Sequence, residues 1–69
     1  MNKSPVLKYR HKANLSQEEL SRRCGISRQY LGLIEKDKSL PTVKIAMSIA
    51  RELKCSLLDL WPPSDDEAA

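Results

Sequence analysis

Residues 15–35 constrain the fold of this chain more than any other segment, because they carry the signals of two short helices and of the turn between them. Ser16 is placed to cap the first helix, and Glu19 follows three residues later, the spacing of a capping box. Ser27 is placed to cap the second helix. Between them Gly25 suits the left-handed backbone conformation in which helices commonly end. The segment therefore predicts two helices joined by a tight turn.

The two helices, at about 17–24 and 28–36, are predicted to pack against each other as a helix-turn-helix. The apolar residues that would hold them at a fixed angle lie on both sides of the turn: Leu15, Leu20, Ile26, Leu31 and Ile34. A unit of this kind places its second helix in the major groove of DNA. Double-stranded DNA is therefore the first partner that the sequence indicates.

The rest of the chain predicts three further helices and no strand, because its apolar residues recur at helical spacing and do not alternate. Pro5 suits the first turn of a helix, and Thr42 and Ser56 are placed as N-caps. The additional helices are predicted at about 5–13, 43–53 and 57–61. The fold class is therefore all-α, a compact five-helix domain in which helices 2 and 3 form the helix-turn-helix.

Charge is distributed unevenly over the 69 residues, whose net charge is +3. Asp65, Asp66 and Glu67 lie close to the end of the chain, and without them residues 1–63 carry a net charge of +6. We therefore predict a basic folded domain at 1–63 and an acidic, disordered tail at 64–69. A basic domain suits a polyanionic partner, and an ordinary solvated surface explains the same charge.

No enzymatic site is indicated by the sequence. Cys24 and Cys55 stand where small apolar side chains would fit, so we expect reduced, buried thiols and no disulfide or metal site. His11 has no evident partner, no nucleophile–base pair is present, and no cofactor is implied. A signal peptide, a membrane span and a lipidation motif are also lacking. We therefore expect a cytoplasmic protein.

Residues 5–61 resemble the phage-repressor family of lambda-repressor-like (XRE- or Cro-type) helix-turn-helix proteins. The matching segments are Leu-Ser-Gln-Glu-Glu-Leu at 15–20, Gly-Ile-Ser-Arg at 25–28, Ile-Glu at 34–35, Pro-Thr at 41–42 and Ser-Leu-Leu-Asp-Leu-Trp at 56–61. The resemblance implies a five-helix DNA-binding domain that acts as a homodimer on a palindromic operator. It also implies a nucleoid-associated protein of bacterial or phage type. The chain departs from the family at Asp37 and Lys54, where glycine is common, so a less favourable backbone is expected there.

The resemblance also implies roles for individual residues. Arg10 and Glu35 match a buried ion pair that ties helix 1 to the end of helix 3. Gln17 matches a residue that contacts a backbone phosphate from the start of helix 2. The base-facing positions of the recognition helix are Arg28, Gln29 and Leu33.

The chemistry of these side chains agrees with such roles. Arginine can form a bidentate pair with guanine, and glutamine with adenine, which suits Arg28 and Gln29 to base recognition. Leu33 can contact a thymine methyl group or serve as a peripheral core residue, and both interpretations stay open. Further phosphate contacts are expected at the two ends of the recognition helix, from Ser27, Tyr30, Lys36 and Lys38.

The predicted fifth helix carries more apolar surface than a short helix can hide beneath a small domain. We expect a symmetric dimer interface formed by Leu57, Leu58, Leu60 and Trp61, the alternative being that all four close the core. The leading functional hypothesis is a transcriptional regulator, most simply a repressor, with a regulatory protein as a further partner. The alternative is an antitoxin-like or co-regulator interaction module that keeps the fold without binding DNA specifically. The lack of acidic residues at 27–33 favours DNA binding over the interaction module.

Overall fold

The computed structural model describes residues 4–63, which form five α-helices. These are α1 (Pro5–Lys12), α2 (Gln17–Cys24), α3 (Arg28–Glu35), α4 (Val43–Glu52) and α5 (Leu57–Leu60). The predicted all-α, five-helix fold is confirmed, and no strand occurs in the described part of the chain. Every helix except α2 ends one residue earlier than predicted, because the next residue serves as the C-cap. The prediction for the acidic tail lies outside the described residues.

Each helix begins at a hydroxyl side chain that accepts a hydrogen bond from a backbone N–H of the first turn. The capping box predicted for Ser16 is only half formed. The Ser16 hydroxyl accepts from the Glu19 backbone N–H at 3.0 Å, but the Glu19 carboxylate is bound by Arg22 and Arg23 instead. Charge-assisted hydrogen bonds to arginine are stronger than the neutral bond that the box would add.

The core is formed by the inner faces of all five helices. Its buried members are Val6, Leu20, Leu31, Ile34, Ile49, Ala50, Leu53 and Leu60. The helix α3 packs against α1 and α2, whereas α4 packs against α2 and α5. One side of α3 is therefore fixed by two neighbouring helices, and the opposite side is free to face a partner.

The apolar residues of α5 divide between the core and the surface, so the predicted dimer interface is corrected at one residue, Leu60. Leu60 is only 1 % exposed and belongs to the core, so it is not available to a second chain. Leu58, two positions earlier, is about 200° away around the helix and is 66 % exposed. Leu57 is 37 % exposed, and Trp61 is partly buried against the core.

Among residues 4–63, three residues other than glycine have a left-handed backbone, and they include Asp37 and Lys54, where the chain departs from the family. The φ angles are 59° at Asp37 and 57° at Lys54, and Asn14 also has a φ of 59°. The backbone conformation that we expected at Asp37 and Lys54 is therefore confirmed. Asparagine and aspartate tolerate this conformation better than lysine does, because their short polar side chains can hydrogen-bond locally.

Lys54→Gly is expected to raise the free energy of unfolding by about 0.5–1 kcal/mol. The left-handed conformation costs a residue with a Cβ about 1–2 kcal/mol, and the larger unfolded-state entropy of glycine offsets part of the gain. Urea unfolding followed by circular dichroism measures the difference. Lys54→Ala is the matched control, since it removes the charged side chain and keeps the Cβ. An equal gain in both variants would contradict the backbone explanation.

Candidate nucleic-acid interface

Four exposed side chains lie along the outer face of α3 and its C-cap, Lys36. Arg28, Gln29, Leu33 and Lys36 recur at intervals of one to four residues along one side of the helix, whereas Leu31, Ile34 and Glu35 are buried on the other. Leu33 is 44 % exposed. This exposure favours a surface contact for Leu33 over the alternative of a peripheral core residue.

An open cleft with a volume of about 710 Å³, here called the α2–α3 cleft, lies between the start of α2 and the outer face of α3. Its lining residues are Gln17, Arg28, Gln29, Gly32, Leu33 and Lys36. The structure thus brings the three predicted base-contacting residues together with two of the predicted phosphate-contacting residues. Such a surface has room for a ligand that approaches both helices at once.

Sequence reasoning missed Gly32, which forms part of the cleft. A Cβ built at this position would meet only the Gln17 side-chain nitrogen, at 3.8 Å, which is ordinary van der Waals contact. Glycine inside a helix costs about 1 kcal/mol relative to alanine. An interior helical glycine was therefore the signal that could have drawn attention to Gly32.

A buried ion pair lies behind the cleft. Glu35 accepts hydrogen bonds from Arg10 Nε at 2.5 Å and from Arg10 Nη2 at 3.3 Å, and both residues are less than 10 % exposed. Arg10 Nη1 also donates to the carbonyl oxygen of Leu15 at 2.9 Å. The structure therefore brings together the two residues that the resemblance paired, and it joins α1 to the end of α3.

Gln17 is attached to the same buried pair. Its side-chain nitrogen Nε2 donates to Glu35 Oε1 over 2.9 Å, and Gln17 is only partly exposed. The resemblance indicated a phosphate contact for Gln17 but gave no reason to expect this partner. A side chain that lines the cleft is consequently hydrogen-bonded to a buried carboxylate.

The other residues predicted to contact phosphate lie outside the lining of the cleft. Ser27 is exposed, and its Oγ accepts from the Tyr30 backbone N–H at 3.0 Å, so its hydroxyl hydrogen can still be donated. Tyr30 is partly buried and packs against the core. Lys38 is exposed, and its backbone N–H donates to the Leu33 carbonyl at 2.9 Å, just after the end of α3.

The basic residues of α2 are engaged with acids on the surface of the protein. Arg22 and Arg23 both hydrogen-bond Glu19, and Arg23 also reaches Glu52 of α4 at 3.5 Å. The side-chain hydrogen bond from Arg23, followed by that from Arg22, lowers the pKa of the Glu19 carboxyl. These arginines are therefore paired locally with carboxylates of α2 and α4.

The two cysteines are free and only partly buried, which is less burial than we expected. Burial raises the pKa of the Cys24 and Cys55 thiols, which disfavours the thiolate, the form that acts as a nucleophile and metal ligand. Within residues 4–63, histidine, cysteine and acidic side chains form no group of three that could hold a metal ion. Among the five described helices, none combines the length and the apolar character needed to cross a bilayer.

The capped pair of helices α2 and α3, with the outer side of α3 exposed, defines a helix-turn-helix protein. The family model described as helix-turn-helix (HTH_3) matches residues 6–60, a range that includes parts of α1 and all of α2 to α5. The chain therefore belongs to the helix-turn-helix family of the XRE or lambda-repressor-like type, as its resemblance predicted.

Several relatives match the chain over almost its full length. An uncharacterized HTH-type transcriptional regulator of Methanocaldococcus jannaschii is 38% identical over 94% of this chain and 98% of its own. A protein of the same description from Archaeoglobus fulgidus is 34% identical over 90% of this chain and 87% of its own. Another HTH-type transcriptional regulator, from Sinorhizobium fredii, is 36% identical over 91% of this chain and 82% of its own. These three names all describe transcriptional regulators.

Proposed function

We propose that this protein is a sequence-specific transcriptional regulator that binds double-stranded DNA. The observation that carries the proposal is the α2–α3 cleft, in which the outer face of α3 presents Arg28 and Gln29 beside the start of α2. The only acid on α3 is Glu35, which is buried and paired with Arg10. The exposed side of the helix is therefore free of negative charge that would repel DNA.

In this proposal α3 is the recognition helix and lies in the major groove. Arg28 and Gln29, in its first turn, contact base edges, and Leu33 contacts a thymine methyl group one turn later. Phosphate contacts position the helix in the groove without reading sequence. Their proposed sources are Gln17, Ser27, Tyr30, Lys36 and Lys38.

The finer proposal is a homodimer that represses transcription by occupying a palindromic operator. An apolar groove of about 340 Å³ supports it, lined by Leu40, Pro41, Val43, Ala46, Leu57 and Trp61. Leu40 and Val43 are 80 % and 71 % exposed, and Leu58 on the neighbouring α5 is 66 % exposed. A two-fold dimer through this surface would bury these side chains and space its recognition helices about 34 Å apart.

Selection from a random pool of duplex DNA, followed by titration of binding against salt, tests the function. Enrichment of a palindrome with half-sites about one helical turn apart is the expected result. If no sequence is enriched and binding is lost at moderate salt, only charge attraction is present. The interaction-module hypothesis would then replace the proposal, and a protein partner would be sought.

Leu58→Ser is expected to shift the protein towards monomer in sedimentation equilibrium. Leu58 is exposed in the free chain, so the substitution removes apolar surface from the interface without opening a cavity in the core. Leu33→Ser is the matched control, because it changes another exposed leucine that lies on α3 in the α2–α3 cleft. The dimer proposal fails for the free protein if the unchanged chain is monomeric at high micromolar concentration.

A further inference from the structure

The hydrogen bonds of Glu35 extend from the core into the α2–α3 cleft. The Glu35 side chain is 4% exposed and accepts from Arg10 on α1 and from Gln17 on α2. Arg10 also donates to the carbonyl oxygen of Leu15, which lies immediately before the Ser16 N-cap of α2. The last residue of α3 is thus connected by two routes to the start of α2.

The chemistry of these groups fixes the orientation of the Gln17 amide. A carboxylate has no hydrogen to donate, so the Gln17 atom that faces Glu35 has to be the nitrogen. The reversed amide would place two acceptor oxygens in contact at the 2.9 Å separation that the nitrogen now occupies. Gln17 therefore has one preferred side-chain conformation before any ligand binds.

The charge of Glu35 would by itself repel a phosphate group from this position. Arg10 contacts the carboxylate through two nitrogens and supplies the compensating positive charge. Gln17 donates only one of its two amide hydrogens to Glu35, and the second stays available. The side chain is thus a pre-oriented neutral donor at the edge of the cleft.

We propose that Glu35 is a positioning residue for DNA binding, which holds the Gln17 amide ready for a phosphate in the α2–α3 cleft. The conformational entropy of Gln17 is lost when the protein folds and is not lost again on binding. Gln29 provides the comparison, because it lines the same cleft without a side-chain hydrogen bond to any described residue. The inference rests on the proposed function and adds a role for a residue that does not itself contact DNA.

The test removes the ion pair as a unit, because loss of one partner would leave the other buried and unpaired. Arg10→Met/Glu35→Leu replaces the pair with apolar side chains, a change that folded proteins commonly tolerate. The effect of Gln17→Ala on DNA affinity is then measured in two backgrounds, the unchanged protein and Arg10→Met/Glu35→Leu. The probe is the duplex that the unchanged protein selects. We expect about tenfold weaker binding in the original background, the effect of one hydrogen bond to a charged group, and less than about twofold without the pair.

Arg28→Ala in the same two backgrounds is the control for a general disturbance of α3, and it should weaken binding by the same factor in each. Equal effects of Gln17→Ala in the two backgrounds would overturn the positioning role and leave the proposed function intact. Absence of duplex binding by the unchanged protein would overturn both. A smaller effect of Arg28→Ala in the Arg10→Met/Glu35→Leu background would show that loss of the ion pair displaces α3 itself. That result would also overturn the positioning role.

A second measurement needs no variant, so it remains decisive if the double substitution does not fold. Nitrogen-15 relaxation of side-chain amide groups compares Gln17 with Gln29 in the free protein and in the DNA complex. We expect Gln17 to be rigid in both states, and Gln29 to be mobile when free and ordered when bound. A free-state Gln17 as mobile as Gln29 would overturn the proposal.

Discussion

Glu35→Ala is expected to lower the free energy of unfolding by about 3–5 kcal/mol, because it leaves the Arg10 guanidinium buried without its counter-ion. The loss is large for a domain of this size, whose total stability is expected at roughly 3–10 kcal/mol. Arg10 would keep only its hydrogen bond to the Leu15 carbonyl, and Gln17 would lose its carboxylate partner. At the lower end of that range the variant would be largely unfolded at room temperature.

Thermal and urea unfolding followed by circular dichroism measure this effect. Arg28→Ala is the control, since Arg28 is exposed on the outer face of α3 and its removal should leave the melting temperature nearly unchanged. Equal melting temperatures for Glu35→Ala and Arg28→Ala would show that the ion pair does not hold α1 to α3. Arg10→Met/Glu35→Leu should melt well above Glu35→Ala, because it leaves no unpaired charge in the core.

Arg28→Ala is expected to weaken binding to the selected duplex by about 10- to 100-fold, which corresponds to about 1–3 kcal/mol for one bidentate contact with a base. It should also relax the sequence preference at one position of each half-site. The physical reason is that arginine presents two parallel donors to guanine and alanine presents none. Binding isotherms on the selected duplex and on its single-base variants measure both effects.

Lys36→Ala is the matched comparison, since Lys36 lines the same cleft and is proposed to contact phosphate only. It should weaken binding to all sequences alike and reduce the dependence of log affinity on log salt by about one. If Arg28→Ala instead reduced affinity uniformly, with the same base preferences as before, Arg28 would be a phosphate contact. The orientation proposed for α3 in the groove would then be wrong.

The fold could be predicted from the sequence because most of its determinants are local. Ser16, Ser27, Thr42 and Ser56 cap the helices as predicted, and Gly25 takes a φ of 70° in the turn. Each of these interactions involves residues within a few positions of one another. Short-range signals of this kind are legible in a single sequence.

The candidate site was only partly predictable, because its geometry depends on distant residues. The hydrogen bond from Gln17 to Glu35 joins residues 18 positions apart, and no local sequence pattern predicts it. The separation of Leu58 from Leu60 in α5 was missed for a related reason. The sequence alone does not show which apolar residues of a short helix face the core and which face solvent, because that depends on how the helix packs against the rest of the domain.

The tie between Gln17 and the buried Glu35 has a consequence for local opening of the molecule. Many DNA-contacting segments can detach from their domain at a small cost in free energy, but α3 is held by Leu31, Ile34 and Glu35 inside the core. The amide hydrogens that form the internal hydrogen bonds of α3 should therefore exchange with solvent mainly when the entire domain unfolds. The surface proposed to read DNA and the core that stabilises the chain form a single cooperative unit, so a change that loosens one loosens the other.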